Sequence, residues 1–178
     1  MMMIADKPLH EIELVMQSMV AQTQDYFETE HETCMIDVDS GAGRLDTQPL
    51  LDMTAIIGLG GLVNLQAVFS FQSSLVNAVY ESMTEGFHVP PEQVEKQREA
   101  AIGELVNTVL GHCTLDLQHL DRQGIALTPP VILDRAKVLT DANSAVIARH
   151  CLHSSFGRMT ISLVDPTQVF SARPDSRR

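Results

Sequence analysis

The chain has 178 residues, 44% hydrophobic and 20% charged, the balance of a folded domain able to bury a core without metal or disulfide staples. Its 23 acidic and 12 basic residues leave a formal net charge of −11, which argues against a nucleic-acid or anionic-membrane surface, since either needs a basic patch. No stretch approaches about 18 apolar residues and the Met-Met-Met-Ile start lacks a signal peptide's basic region, so the expectation is a cytoplasmic protein: one domain over residues 1–170 and a polar tail at 171–178.

Asp6 is placed to cap a first helix, with Pro8 tolerated in its opening turn. Leu9, Ile12, Met16, Met19, Val20 and Phe27 then form an apolar stripe through about Glu28. Cys34, Ile36 and Val38 alternate with Met35, Asp37 and Asp39, the period of a half-buried strand. Ser40 to Gly43 reads as the opening of a polar loop that ends near Pro49. Residues 51–57 and 62–71 are β-rich, and Gly58-Leu59-Gly60-Gly61 between them is a hairpin signal. In the second run Val63, Leu65, Ala67, Phe69 and Phe71 alternate with polar residues, Val68 excepted, giving one core face and one wetter face. The glycine cluster leads into a strand; a phosphate-cradling loop would need a helix N-terminus behind it.

Ser73 or Ser74 can cap a short helix carrying Leu75, Ala78, Val79 and Met83, stopped at Gly86. From Pro91 to about Leu120 the pattern is again helical. Ile102, Leu105, Val106, Val109, Leu110, Cys113, Leu117 and Leu120 recur at threes and fours, one buried stripe. A turn at 121–124 leads to an extended approach, Ile125 to Pro130, and a short strand, Val131 to Leu133. Val138 to Ala142 fits no pattern. Ala145 to Ala148 and Met159 to Leu163 read as the last two strands, with Ser154 to Arg158 turning between them. Long helices with hairpins between and after them predict an α+β domain, a mostly antiparallel sheet packed against the helices.

The long helix carries the candidate chemistry. Glu104 and Asn107 lie three apart and project from one face, one turn after the other. Gly111 continues that face a turn further on. A helical glycine costs about 1 kcal/mol relative to alanine, and a bare position beside Asn107 lets another protein's backbone approach closely. Gly103, on a different face, permits tight packing within the fold. A Glu-x-x-Asn pair alone is common on solvated helix faces and does not define a catalyst.

The surrounding residues narrow the reading. Ala101-Ile102-Gly103-Glu104-Leu105-x-Asn107, then Gly111, then Ile125-x-Leu127-Thr128-Pro129-Pro130, resembles the CheX branch of the CheC/CheX/FliY chemotaxis phosphatases. That family's signature is Asp or Ser, three residues, Glu, two residues, Asn, and about twenty residues to a proline. Glu104, Asn107 and Pro130 match it; Ala100 stands where Asp or Ser is expected. The resemblance spans roughly residues 50–133. It implies a CheC/CheX-like fold and a homodimer joined through its sheets. It also implies a hydrolase acting on the aspartyl phosphate of a CheY-like response regulator. On that analogy Glu104 pairs with the regulator's active-site lysine, Asn107 orients the attacking water, and Thr108 and Gly111 contact the partner. Mg²⁺ comes with the partner, and no cofactor is expected in the chain itself. The CheC branch carries the motif twice; here the earlier helix has Asn77 but Ser74 in place of the glutamate, so one site per chain is expected. The alternative is a non-catalytic receiver-binding or dimerisation module on the same fold.

Cys34, Cys113 and Cys151 show no metal-type pairing, and reduced core thiols are the expectation. In His150-Cys151-x-His153 the two histidines fall on opposite faces of a strand and diverge, so no metal site is expected.

Overall fold

In a computed structural model the chain is described over residues 9–44, 50–61, 63–119, 124–134 and 145–165. The elements are α1 (Leu9–His31), β1 (Ile36–Arg44), β2 (Met53–Gly61), β3 (Leu65–Phe71), α2 (Ser73–Met83), a 3₁₀ turn at Pro91–Gln93, α3 (Val94–Leu117), β4 (Ile125–Leu127), β5 (Val131–Asp134), β6 (Ala145–Ser154) and β7 (Gly157–Val164). The strands form one sheet in the order β1-β6-β7-β3-β2-β4, with β5 also pairing β2. The strand pairings are antiparallel. This is the α+β architecture the periodicities predict. Asp6, Pro8, Leu120, Val138 to Ala142 and the tail lie outside the described residues.

One core joins the three helices to the sheet. Ile12, Val15, Met16, Met19 and Phe27 of α1 and Leu75, Val76 and Val79 of α2 meet Met53, Ala55, Ile57, Leu65, Phe69, Phe71, Met159, Ile161 and Leu163 of the sheet. The β3 alternation holds, and Val68 has its own explanation. It is buried on the other side of the sheet with Val146 and Val164, against Leu50 and Ile56. That side also buries Ser70 and Thr54, whose hydroxyls lie 3.0 Å apart. The expected wetter face is therefore partly covered.

Three local expectations are corrected, each by a non-local partner. The predicted buried face of β1 is not found: Met35, just before the strand, is buried, whereas Ile36 and Val38 are 60% and 50% exposed and Asp37 and Asp39 are exposed as well. Among the described residues β1 is an edge strand with β6 as its one neighbour, and its register with β6 shifts between Asp37 and Asp39 and between Gly41 and Gly43. Ser40 to Gly43 thus continue the strand instead of opening a loop. α2 takes its N-terminal partner from afar: the Ser73 N–H donates to Asp52 Oδ2 at 2.9 Å, and neither Ser73 nor Ser74 caps.

The third correction concerns the glycines. Gly58 to Gly61 belong to β2 itself, and the hairpin closes beyond them, with Leu59 opposite Leu65. Their small size admits the β4 edge. Thr128 Oγ1 accepts from the Gly58 N–H at 2.8 Å, and the Thr128 N–H donates to the Gly58 carbonyl at 3.0 Å. A Cβ on Gly58 would sit 2.9 Å from Thr128 Cγ2, and one on Gly61, whose φ is 91°, would collide with the Gly124 carbonyl. Gly58→Ala is therefore expected to cost about 1–3 kcal/mol of stability, the usual range for overpacking. Urea unfolding checks this, with Gly41→Ala as a control whose Cβ meets nothing within 4 Å. Equal midpoints for both variants would contradict the clip.

Candidate functional site

α3 is built so that one face cannot turn outward. Ala101, Ile102, Leu105, Val106, Val109, Leu110, Cys113 and Leu117 are all buried, as the stripe requires. At about 100° per residue this leaves Ala100, Glu104, Asn107, Thr108, Gly111 and Leu115 facing away from the core. Glu104 and Asn107 are exposed, and Thr108 and Gly111 are half-buried beside them. All four sequence-nominated residues thus share one surface.

The two glycines separate as their faces suggest. Gly103 is buried, and a Cβ there would stand 3.9 Å from Pro130 Cγ, an ordinary contact. Pro130, the proline of the sequence signature, therefore leans on α3 one residue before Glu104. Its position follows from the Thr128–Gly58 clip two residues upstream. Gly111 faces open space, with nothing within 4 Å of its would-be Cβ. Packing within the fold does not demand a glycine there.

α1 lies along the flank of this face. Near its middle, Ser18 Oγ and Gln22 Nε2 donate to Asp116 Oδ2 at 3.1 and 2.6 Å, tying α1 to the last turn of α3. Further along α1, the buried Tyr26 feels Glu104. Burial first, then the charges of Glu30 and Glu104, push its hydroxyl up to about 12. The phenol therefore remains protonated at neutral pH. Its ring packs edge-on to Phe27 at 5.7 Å. Sequence reading passed over Tyr26, although it lies seven residues after Met19 and falls on the same stripe. Leu115 was missed as well. It is 60% exposed, three turns or roughly 16 Å along the face from Glu104, and its departure from the apolar stripe was the available signal.

Among the described residues the site is a projecting helix face. A cavity of about 820 Å³ lies between the end of α1, α2 and the β6–β7 turn, lined in part by Glu30, Glu32, Asn77, Glu81, Glu85 and Phe156. Neither Glu104 nor Asn107 lines it. Among the described residues no group of three or more His, Cys, Asp or Glu is placed to hold a metal ion. His150 Nδ1 lies 2.6 Å from Asp37 Oδ2 of β1, while His153 is exposed. Cys113 is a buried thiol, pushed up to about 11 by burial. Cys34, expected in the core, is exposed because it precedes the edge strand.

The sequence profile of the family named Chemotaxis phosphatase CheX matches residues 53–150, just over half of the chain. The chain belongs to the CheX family. CheX of Desulfovibrio desulfuricans superposes with a TM-score of 0.70 at 16% identity, covering 85% of this chain and 99% of that one. CheX of Vibrio vulnificus gives 0.68 at 16% identity, over 84% and 97% of the two chains. A Borrelia burgdorferi CheX, solved as a CheX–CheY–BeF₃–Mg²⁺ complex, gives 0.60 at 14%, over 86% and 96%. No curated protein matches the sequence. At these identities the structural likeness establishes a shared fold. No helix of the described residues is long and apolar enough to cross a membrane.

The proximity of Tyr26 to Glu104 has a measurable consequence. In Tyr80→Phe protein, Tyr26 is the remaining tyrosine, and tyrosinate absorbance should rise near pH 12 instead of near 10. Adding Glu104→Gln should lower that midpoint. Because the folded-state value is raised, folding loses stability as pH climbs from about 10 to about 12. A midpoint near 10, unmoved by Glu104→Gln, would contradict the placement.

Proposed function

We propose that this CheX-family protein accelerates hydrolysis of the aspartyl phosphate of a CheY-like response regulator by inserting the outward face of α3 into the regulator's phosphorylation site. The observation that carries the proposal is the pairing of Glu104 and Asn107, both exposed on one helix face whose reverse is fully buried. The Borrelia burgdorferi relative, captured with CheY and beryllofluoride, a stand-in for a phosphoryl group, supports the choice of partner.

An acyl phosphate is already reactive. Most of the remaining barrier lies in holding a water in line with phosphorus and balancing the charge that develops. The Asn107 carboxamide suits the holding of water, because its oxygen accepts from the water while its NH₂ donates, fixing orientation without taking up a proton. An aspartate there would bring a second negative charge toward the phosphoryl group. Glu104, one turn earlier, pairs with the regulator's lysine and sets the depth of docking. Thr108 and the bare Gly111 let the regulator's backbone approach. The Mg²⁺ that screens the phosphoryl oxygens is assigned to the regulator. Ala100 faces outward beside Glu104 and gives the motif's first position no polar group to contribute. That favours a second reading, binding without catalysis.

Decay of the phosphorylated regulator discriminates the two. Asn107→Ala should lose about 10²-fold or more of the acceleration, the scale of a single positioning donor. Glu104→Ala should mainly weaken binding, by a few kcal/mol at most for a desolvated charge pair. Since both side chains are exposed, neither change should unfold the protein. A regulator that binds the wild type but keeps its phosphate lifetime would establish the second reading.

We also assign a homodimer, supported by the exposed Ile36 and Val38 on edge strand β1, where a second copy can extend the sheet. Sedimentation should show a dimer at micromolar concentration that Ile36→Lys dissociates; a wild-type monomer would overturn the assignment.

A further inference from the structure

The sheet face opposite the helix core carries a second cavity, of about 460 Å³, where residues 50–52 meet the end of β3, the middle of β6 and the start of β7. Its lining includes Arg149, Cys151, Arg158, Thr160 and Gln72. Arg158 and Thr160 alternate along β7 with the core residues Met159 and Ile161, and Cys151 stands opposite Thr160 in the ladder. In a chain of net charge −11, two of the four lysine and arginine side chains described (Lys96, Arg98, Arg149, Arg158) meet in this one place.

The donors here are under-used. Arg149 Nη2 donates to Asp39 Oδ2 at 3.0 Å, but its Nε is buried with no acceptor among the described residues. Buried donors are normally paired, so this Nε is available to an acceptor in the cavity, just as Arg98 Nε is available on α3. The guanidinium of Arg158 makes no ion pair among the described residues. Gln72 uses its Oε1 to accept from the Arg158 backbone N–H at 3.2 Å. The Cys151 thiol registers both cations and the neighbouring acids: burial pushes it up, Arg149 and Arg158 pull it down, and Asp39 and Asp37 push it up again. Asp52 is the one carboxylate of the lining, and its Oδ2 accepts from the Ser73 N–H at the start of α2. Leu50 and Leu51 supply an apolar wall.

We infer that this cavity binds a small oxyanion, a carboxylate or phosphate group, between the guanidinium groups of Arg149 and Arg158, with Thr160 and Gln72 as further donors. Guanidinium forks match both groups bidentately, and the leucines admit a short organic portion. The site uses no residue of the α3 face and stands whether or not the phosphatase reading holds.

Calorimetric titration of the full chain, without any regulator, tests it. The probes are inorganic phosphate and succinate, each against chloride at matched ionic strength. Saturable binding of either probe, weakened at least tenfold by Arg158→Gln, is the expected result; which probe binds names the class. Arg158 is exposed and holds no described ion pair, so Arg158→Gln should fold as the wild type does, checked by circular dichroism. Failure of both probes to saturate, or equal binding by Arg158→Gln, would overturn the inference.

Discussion

Burial of one stripe on α3 is the constraint on which the functional face depends. Ile102, Leu105, Val106, Val109 and Leu110 are at most 2% exposed. Each such side chain contributes about 1.5–3 kcal/mol by leaving water. Turning the helix by a single residue, about 100°, would expose several of them at once. No surface contact of Glu104 or Asn107 could offset that loss, since exposed polar interactions are worth about 1 kcal/mol or less. The outward aim of the acid and the amide is therefore set by the opposite side of the same helix.

The flanks are held by partners distant in sequence. α1 is tied to α3 through Ser18, Gln22 and Asp116 and brings Tyr26 toward Glu104. On the other side, Gly58 accommodates Thr128, and the segment that follows carries Pro130 against Gly103. The ring of the signature proline thus sits beside the helix. Neither described cavity includes Glu104 or Asn107, so on the proposed reading a second protein closing over the helix brings the water and the phosphoryl group together.

How much could be read beforehand depended on the range of the interaction. The α3 stripe, the exposure of Glu104 and Asn107 and the β3 core face are consequences of 3.6- and 2-residue periods, which are local. The faces of β1 were misread because an edge strand's burial depends on what lies beside it, here β6, more than a hundred residues later. The glycines of β2 looked like a turn because the partner that needs their small size, Thr128, lies seventy residues away. Asp52 at the start of α2 is a similar case. The paired arginines come from β6 and β7, and residues 50–52 from before β2 close over them, so no spacing in the chain announces that cavity. Tyr26 and Leu115 were within reach, one on a stripe and one conspicuously off it.

The most direct measurement of the central claim is a labelling footprint of α3. In a Cys34→Ser background, Asn107→Cys should react rapidly with a thiol reagent in the free protein, because position 107 faces solvent. Adding a CheY-like regulator activated with beryllofluoride and Mg²⁺ should protect it strongly, while Cys34 in the parent protein, in front of β1, keeps its rate. Slow labelling of the free protein, or no protection by an activated regulator that binds, would contradict the account.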